Sequence, residues 1–173
     1  MAVLKFDIKG FDKLQAKIAA LPKDLQEEVV GEIQAWGNDV NAEQLGLISQ
    51  QKIQDLGALQ QNTKAVPKAD GVELISNVYY APYIEFGTGP KVKVPAELNN
   101  YASQFRGQKK GDFRTFVKAL EGWLKRKGGN PKVAFADSIL RNGIAPRPYF
   151  FPPYFRKRKD LTNRINAVIS RAI

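Results

Sequence analysis

The 173-residue chain reads as an α+β fold, a small antiparallel β-sheet packed against a long N-terminal helix, with a helical insertion and a C-terminal helix. Three observations carry that reading. An apolar stripe at helical spacing runs from Leu25 to Val40, two alternating segments flank the turn sequence PKADG, and a second helical stripe closes the chain.

Taken in order, Val3 to Ile8 alternates, with Leu4, Phe6 and Ile8 on one side, as a half-buried strand does, and Gly10 ends it. Asp12 can cap a short helix carrying Leu14, Ile18 and Leu21. Proline fits a first helical turn, so Pro22 is expected to open the next helix rather than kink a longer one. That helix places Leu25, Val29, Ile33, Trp36 and Val40 on one stripe and runs to about Gln50. Asn62–Val66 and Val72–Tyr80 then read as the strands of a hairpin turning at Asp70-Gly71.

Beyond Pro90 the pattern turns helical. Pro95 to Phe105 suggests a short helix, and GQKKG a polar break. Asp112 can cap a helix with Phe113, Phe116, Val117, Leu120, Trp123 and Leu124 on one face, which Gly128-Gly129 would stop. Another short helix follows Asn130-Pro131 and ends at Asn142-Gly143. The four prolines of IAPRPYFFPPYF argue against regular structure, and a helix is expected again from Phe155, with Leu161, Ile165, Val168 and Ile169 on its apolar side. The whole is read as one domain, 1–173, with residues 91–142 a helical insertion within it.

Composition narrows the chemistry. Hydrophobic residues at 43% and charged residues at 25% are those of a globular chain, so a packed core is expected. Cysteine and histidine are both absent, which removes thiolate nucleophiles, disulfides, and the commonest general base and metal ligands. No apolar run is long enough to span a membrane and the N-terminus lacks a signal-peptide core, so a soluble protein made in the cytoplasm is expected. The net charge of +10 is polarised: residues 1–105 hold 10 Lys/Arg against 13 Asp/Glu, and residues 106–173 hold 17 against 4. Such a molecule can meet copies of itself head to tail or present one face to a polyanion.

Two stretches are candidate sites. In YYAPYIEFGTGP (79–90), Gly87-Thr88-Gly89 is no phosphate cradle, because the following residue is Pro90 and not the lysine that opens a Walker helix. Glu85 has no carboxylate partner nearby in sequence, and no metal-ligand spacing occurs. A packed turn is expected instead, with Ala81-Pro82 opening it, Ile84 and Phe86 inward, Gly87 ending it in a left-handed conformation, and Glu85 exposed with the Thr88-Gly89-Pro90 tip. The second stretch is the basic run of the last helix, Arg156, Lys157, Arg158 and Lys159 with Arg164, which suits either a DNA backbone or an acidic protein partner, or is simply a solvated face.

The order of these segments resembles the gene-product-ten-type head-tail connector family of tailed bacteriophages. A long N-terminal helical region is followed by a degenerate Asp-x-Gly-x-Leu (Asp55, Gly57, Leu59), then YYAPYIEFGTGP, then GIAPRPYFFPPYF and a terminal helix. The family's Tyr-Ala-x-Tyr-x-Glu-Phe-Gly-Thr-Gly signature maps onto Tyr80, Ala81, Tyr83, Glu85, Phe86, Gly87, Thr88 and Gly89, and its Pro-aromatic segment onto Pro148, Tyr149, Phe150 or Phe151, Pro152 and Pro153. Departures are Leu56 after the first Asp, Pro82 within the signature, and a longer segment over 91–142.

The resemblance implies a non-enzymatic structural protein of the virion neck, a tail completion or minor tail component without cofactor. It further implies a homo-oligomeric ring, six-fold or twelve-fold, between head-side adaptor or stopper proteins and the tail tube or terminator protein, through which DNA passes. Subunit contacts are then expected at Tyr83, Glu85, Phe86, Gly87, Thr88, Gly89, Tyr149, Phe150 and Phe151, with Glu85 in a salt link to a neighbour. No membrane is involved. The alternative is a basic DNA-binding protein outside the virion.

Overall fold

The computed structural model of the chain describes residues 4–5, 18–53, 57–102, 121, 139 and 141–171. The helix expected over 113–124, most of the one after Asn130-Pro131, and the first strand beyond Leu4–Lys5 lie outside the described residues. The elements are β1 (Leu4–Lys5), α1 (Lys23–Gln50), α2 (Ala58–Gln61), β2 (Thr63–Lys68), β3 (Gly71–Ser76), α3 (Ala81–Phe86), single 3₁₀ turns at Gly89–Lys91 and Ala96–Leu98, α4 (Asn99–Ala102) and α5 (Phe151–Arg171). The fold is α+β, as expected, and it divides into two compact units, Met1–Ala81 with Tyr149–Ile173, and Pro82–Pro148.

The first unit rests on α1. Pro22 stands immediately before it with φ −54°, so this proline opens the helix, as its missing N–H and fixed φ favour. Val29, Ile33, Trp36, Val40 and Ile48 form its buried stripe. Two neighbours cover that stripe. From one side comes the sheet, of order β1-β3-β2 and antiparallel throughout, with Leu4 opposite Ser76 and Thr63 through Lys68 opposite Ser76 through Gly71. The contact is close at Gly37, where a Cβ would lie 2.6 Å from the methyls of Val72.

From the other side comes α5, whose Ile165 and Val168 complete a cluster with Ile18, Val29 and Ile33, flanked by Leu21, Leu25, Leu161 and Ile169. Each such buried aliphatic side chain contributes roughly 1.5–3 kcal/mol in gross transfer terms. The helix begins at Phe151, not Phe155 as expected. Pro152 and Pro153 do not prevent this because they lie in its first turn, where the backbone N–H groups have no acceptor within the helix.

The hairpin also differs from expectation. β2 extends through Pro67 to Lys68, the turn is Ala69-Asp70, and β3 ends at Ser76 instead of Tyr80. Pro67 is tolerated for a definite reason. Asn77 N–H donates to Asn62 O, so pairs bonded to the partner strand recur at 64, 66 and 68, and Pro67 opposite Val72 falls at a non-bonded position where no N–H is needed.

A buried chain of hydroxyls fixes the register. Thr63 Oγ1 donates to Leu59 O at 2.7 Å, since a carbonyl only accepts. Its proton is therefore committed, so Ser76 Oγ must donate to Thr63 Oγ1 at 3.0 Å, and Tyr149 OH must donate to Ser76 Oγ at 2.8 Å. One proton direction thus runs from Tyr149 through both strands to α2. Ser76→Ala strands two buried groups, the Tyr149 donor and a Thr63 lone pair, whereas Tyr149→Phe removes only the terminal donor. Thermal or denaturant unfolding should show Ser76→Ala losing about 1–3 kcal/mol and Tyr149→Phe about 1 kcal/mol or less; equal losses would contradict the direction.

Candidate assembly site

In the second unit, most of YYAPYIEFGTGP meets the start of GIAPRPYFFPPYF. Pro82 occupies the first turn of α3, Gly87 ends that helix at φ 77°, and Gly87 N–H donates to Tyr83 O at 3.0 Å, as the turn reading expects. The segment after Gly143 returns alongside it. Arg147 N–H donates to Ile84 O at 2.8 Å and Thr88 N–H to Ile144 O at 3.0 Å. Thr88 Oγ1 in turn accepts from Ile144 N–H at 2.7 Å, so Thr88 and Ile144 exchange two bonds, one through a side chain.

Glycine is required at both edges of this clasp. Gly143 has φ 68°, and a Cβ there would overlap Thr88 O. At Gly87 a Cβ would lie 2.7 Å from Ile144 O. Lys93 N–H donating to Phe86 O at 3.0 Å, and the Phe86 ring 6.4 Å from that of Tyr101, hold the outgoing segment of the clasp against its own helix turn.

Several expected site residues are placed differently. Glu85 is only 3% exposed and is engaged within the protein, so the expected exposed salt link to a neighbour is corrected. Ala81 and Pro82 are buried too, and Glu85 and Phe86 fall one helical turn on from them, so the carboxylate lies on the covered side of α3. Tyr149, Phe150 and Phe151, expected at a subunit contact, are buried in the first unit, where α5 begins beside α1. Gln44 Nε2 donates to Phe150 O at 2.9 Å there, and the Phe150 and Phe151 rings stand edge to face at 5.2 Å. Of the expected contact residues, Tyr83 is 40% exposed and Gly89 is exposed, with Thr88 half-buried; the sequence reading missed Ile144, 43% exposed, and Arg147. Asn142-Gly143 was legible in the sequence only as a helix stop, because its partner Thr88 is distant in sequence.

The basic run is largely engaged by α1. Arg156 and Lys157 bind Glu43 at 2.9 and 3.0 Å, Arg164 bridges Asp39 at 2.6 Å and Asp160 at 2.9 Å, and Arg171 reaches Glu28 at 2.8 Å. These pairs step in opposite senses along the two helices, which fixes α5 antiparallel to α1. Trp36 Nε1 adds a bond to Lys157 O at 2.8 Å. Arg158 lies over the Phe155 ring at 5.5 Å, and Lys159 is exposed. The acidic partner of these cations is thus, in good part, the chain's own first helix.

Burial pushes the Glu43 carboxyl upward, but its hydrogen bonds to Arg156 and Lys157 and their charges outweigh this, and the carboxyl is held below its ordinary value. Hydrogen bonding to Asp39 leads the upward shift of Arg164. Among the described residues no group of three Asp or Glu is placed to hold a metal ion, and no helix is long and apolar enough to cross a membrane.

A carboxylate with a lowered folded pKa stabilises the protein above its unfolded value, and that contribution is lost as pH falls through the folded value. Glu43→Gln should therefore be less stable than the parent at neutral pH by roughly 0.2–1 kcal/mol per lost pair, and the two melting curves should converge in acid below 4.5. At the clasp, Gly87→Ala or Gly143→Ala should cost more than about 1 kcal/mol, and Thr88→Val should speed hydrogen exchange at the Ile144 amide while Thr88→Ser does not. No family model matches the chain, and neither a curated protein nor a solved structure significantly similar to it was found.

Proposed function

We propose that the chain is a structural subunit of the neck of a tailed bacteriophage, forming a homo-oligomeric ring that joins head-side adaptor or stopper proteins to the tail tube and lets DNA pass. The observation that carries this reading is the clasp. YYAPYIEFGTGP and GIAPRPYFFPPYF, the two stretches that carry most of the connector resemblance, are joined by Ile84 to Arg147 and Thr88 to Ile144. Segments that stand apart in the resemblance are thus neighbours in the fold, which supports reading them as one signature. The role is scaffolding without catalysis, in keeping with a chain lacking both histidine and cysteine.

The pairing of the basic run with Glu43, Asp39 and Glu28 weakens the rival reading of a free DNA-binding protein, because those cations already have carboxylate partners. Any contact with genomic DNA in the lumen is then non-specific and carried by other cations.

The reading is tested in particles. Phage carrying a nonsense mutation in this gene should yield filled heads and separate tails, and the wild-type protein supplied in trans should restore joined particles, with labelled subunits imaged at the neck. Normal, infectious particles lacking the protein would overturn it. The clasp gives a graded version: Gly143→Ala should lower the yield of joined particles in proportion to the loss of folded second unit, whereas Lys159→Ala should not.

A further inference from the structure

The clasp gathers cations that no described acid answers. Lys91 and Lys93 lie on its outgoing segment and Arg147 on its return, all exposed, and none has a described ion-pair partner. The same clasp carries two exposed apolar side chains, Tyr83 and Ile144. The first unit offers a matching surface. α1 turns one face to its core and one edge of acids, Glu28, Asp39 and Glu43, to α5. Its remaining face carries Asp24 and Glu27 at the N-terminal end, exposed and without a described partner. Along that same face Gly31, Ala35 and Ala42 are exposed, and no atom lies within 4 Å of a Cβ added at Gly31. By helical spacing these residues fall together, opposite Ile33 and Val40.

Resting on the ring reading, we infer that the clasp of one copy docks on this outward face of α1 of the next, with Lys91, Lys93 and Arg147 meeting Asp24 and Glu27 while Tyr83 and Ile144 lie on the small residues. The contact is heterologous, cation surface to acid surface, and a heterologous contact is the kind that closes a ring of one chain. The small side chains let two aromatic or branched side chains approach the helix backbone, and the charges set register and steer encounter. A phosphate backbone would satisfy the cations but leaves Ile144 and the acidic face without a role, so a second copy fits the surface better.

The experiment is a charge swap read by sedimentation velocity or native mass spectrometry in low and high salt, with folding of each variant checked by its melting curve. Wild-type protein should self-associate in low salt and dissociate as salt rises. The variant K91E/K93E/R147E and the variant D24K/E27K should each self-associate at least about tenfold more weakly, and an equimolar mixture should regain association, because reversed acids then face reversed cations. Should K91E/K93E/R147E associate like the parent, the docking surface is elsewhere and the ring reading survives. Loss of duplex DNA retention in that variant with association intact would assign the patch to nucleic acid and overturn the inference. A wild-type protein that is monomeric in low salt at every concentration would overturn both the contact and the ring.

Discussion

The structure of the first unit depends on α5 returning to α1. Sixty-seven residues separate Ala81 from Tyr149, the points at which the chain leaves and re-enters that unit, and closing a loop of this length has an entropic cost that grows only slowly with its size. What offsets it is local to the return. Ile165 and Val168 complete the cluster begun by Val29 and Ile33, Gln44 and Trp36 satisfy backbone carbonyls of the incoming segment, and Tyr149 starts the hydroxyl chain that crosses the sheet. Without α5 the stripe of α1 is covered on one side only. The hairpin alone, two six-residue strands, is too small to hold a 28-residue helix.

The charge ladder between the same helices changes the meaning of the molecule's polarity. Read as numbers, the second half of the chain carries a large positive excess; read as positions, the terminal helix discharges much of its share into Glu28, Asp39 and Glu43. Each exposed pair stabilises weakly, about 0.2–1 kcal/mol, so the ladder is better understood as selecting the antiparallel register than as supplying the adhesion, which the apolar stripe provides. The wrong register would set arginines against the apolar positions of α1. In the proposed ring, Asp24 and Glu27 on α1 and the cations around the clasp are charges offered to a neighbouring copy.

Much of the fold was legible because its signals were local and periodic. The stripe from Leu25 to Val40, the opening role of Pro22, the left-handed Gly87 and the helix stop at Asn142-Gly143 each follow from spacing or from one residue's backbone preference. The failures share a cause: the deciding partner was distant in sequence. Prolines 152 and 153 looked like breakers until their place in the first turn of α5 was known, and Pro67 looked like a strand end until its opposite, Val72, showed that no N–H was required there. Glu85 looked exposed because charge suggests exposure, whereas enclosure of α3 depends on what packs around it, which no window of twelve residues contains.

The same reasoning sharpens what the signature does. A glycine-rich tip reads most simply as a flexible contact loop, yet here the glycines permit a backbone crossing that a side chain would block, and Thr88 replaces a main-chain pairing with its hydroxyl. The consequence is a rigid crossing with its carboxylate turned inward, from which Tyr83 and Ile144 project. Rigidity matters to a contact repeated around a closed ring, because a small angular error at one interface accumulates at every copy and prevents closure. A pinned loop also loses less conformational entropy on docking than a free one. In the proposed ring, the left-handed glycines of YYAPYIEFGTGP are therefore the support of the surface, and their neighbours Tyr83 and Ile144 are the residues offered to a partner.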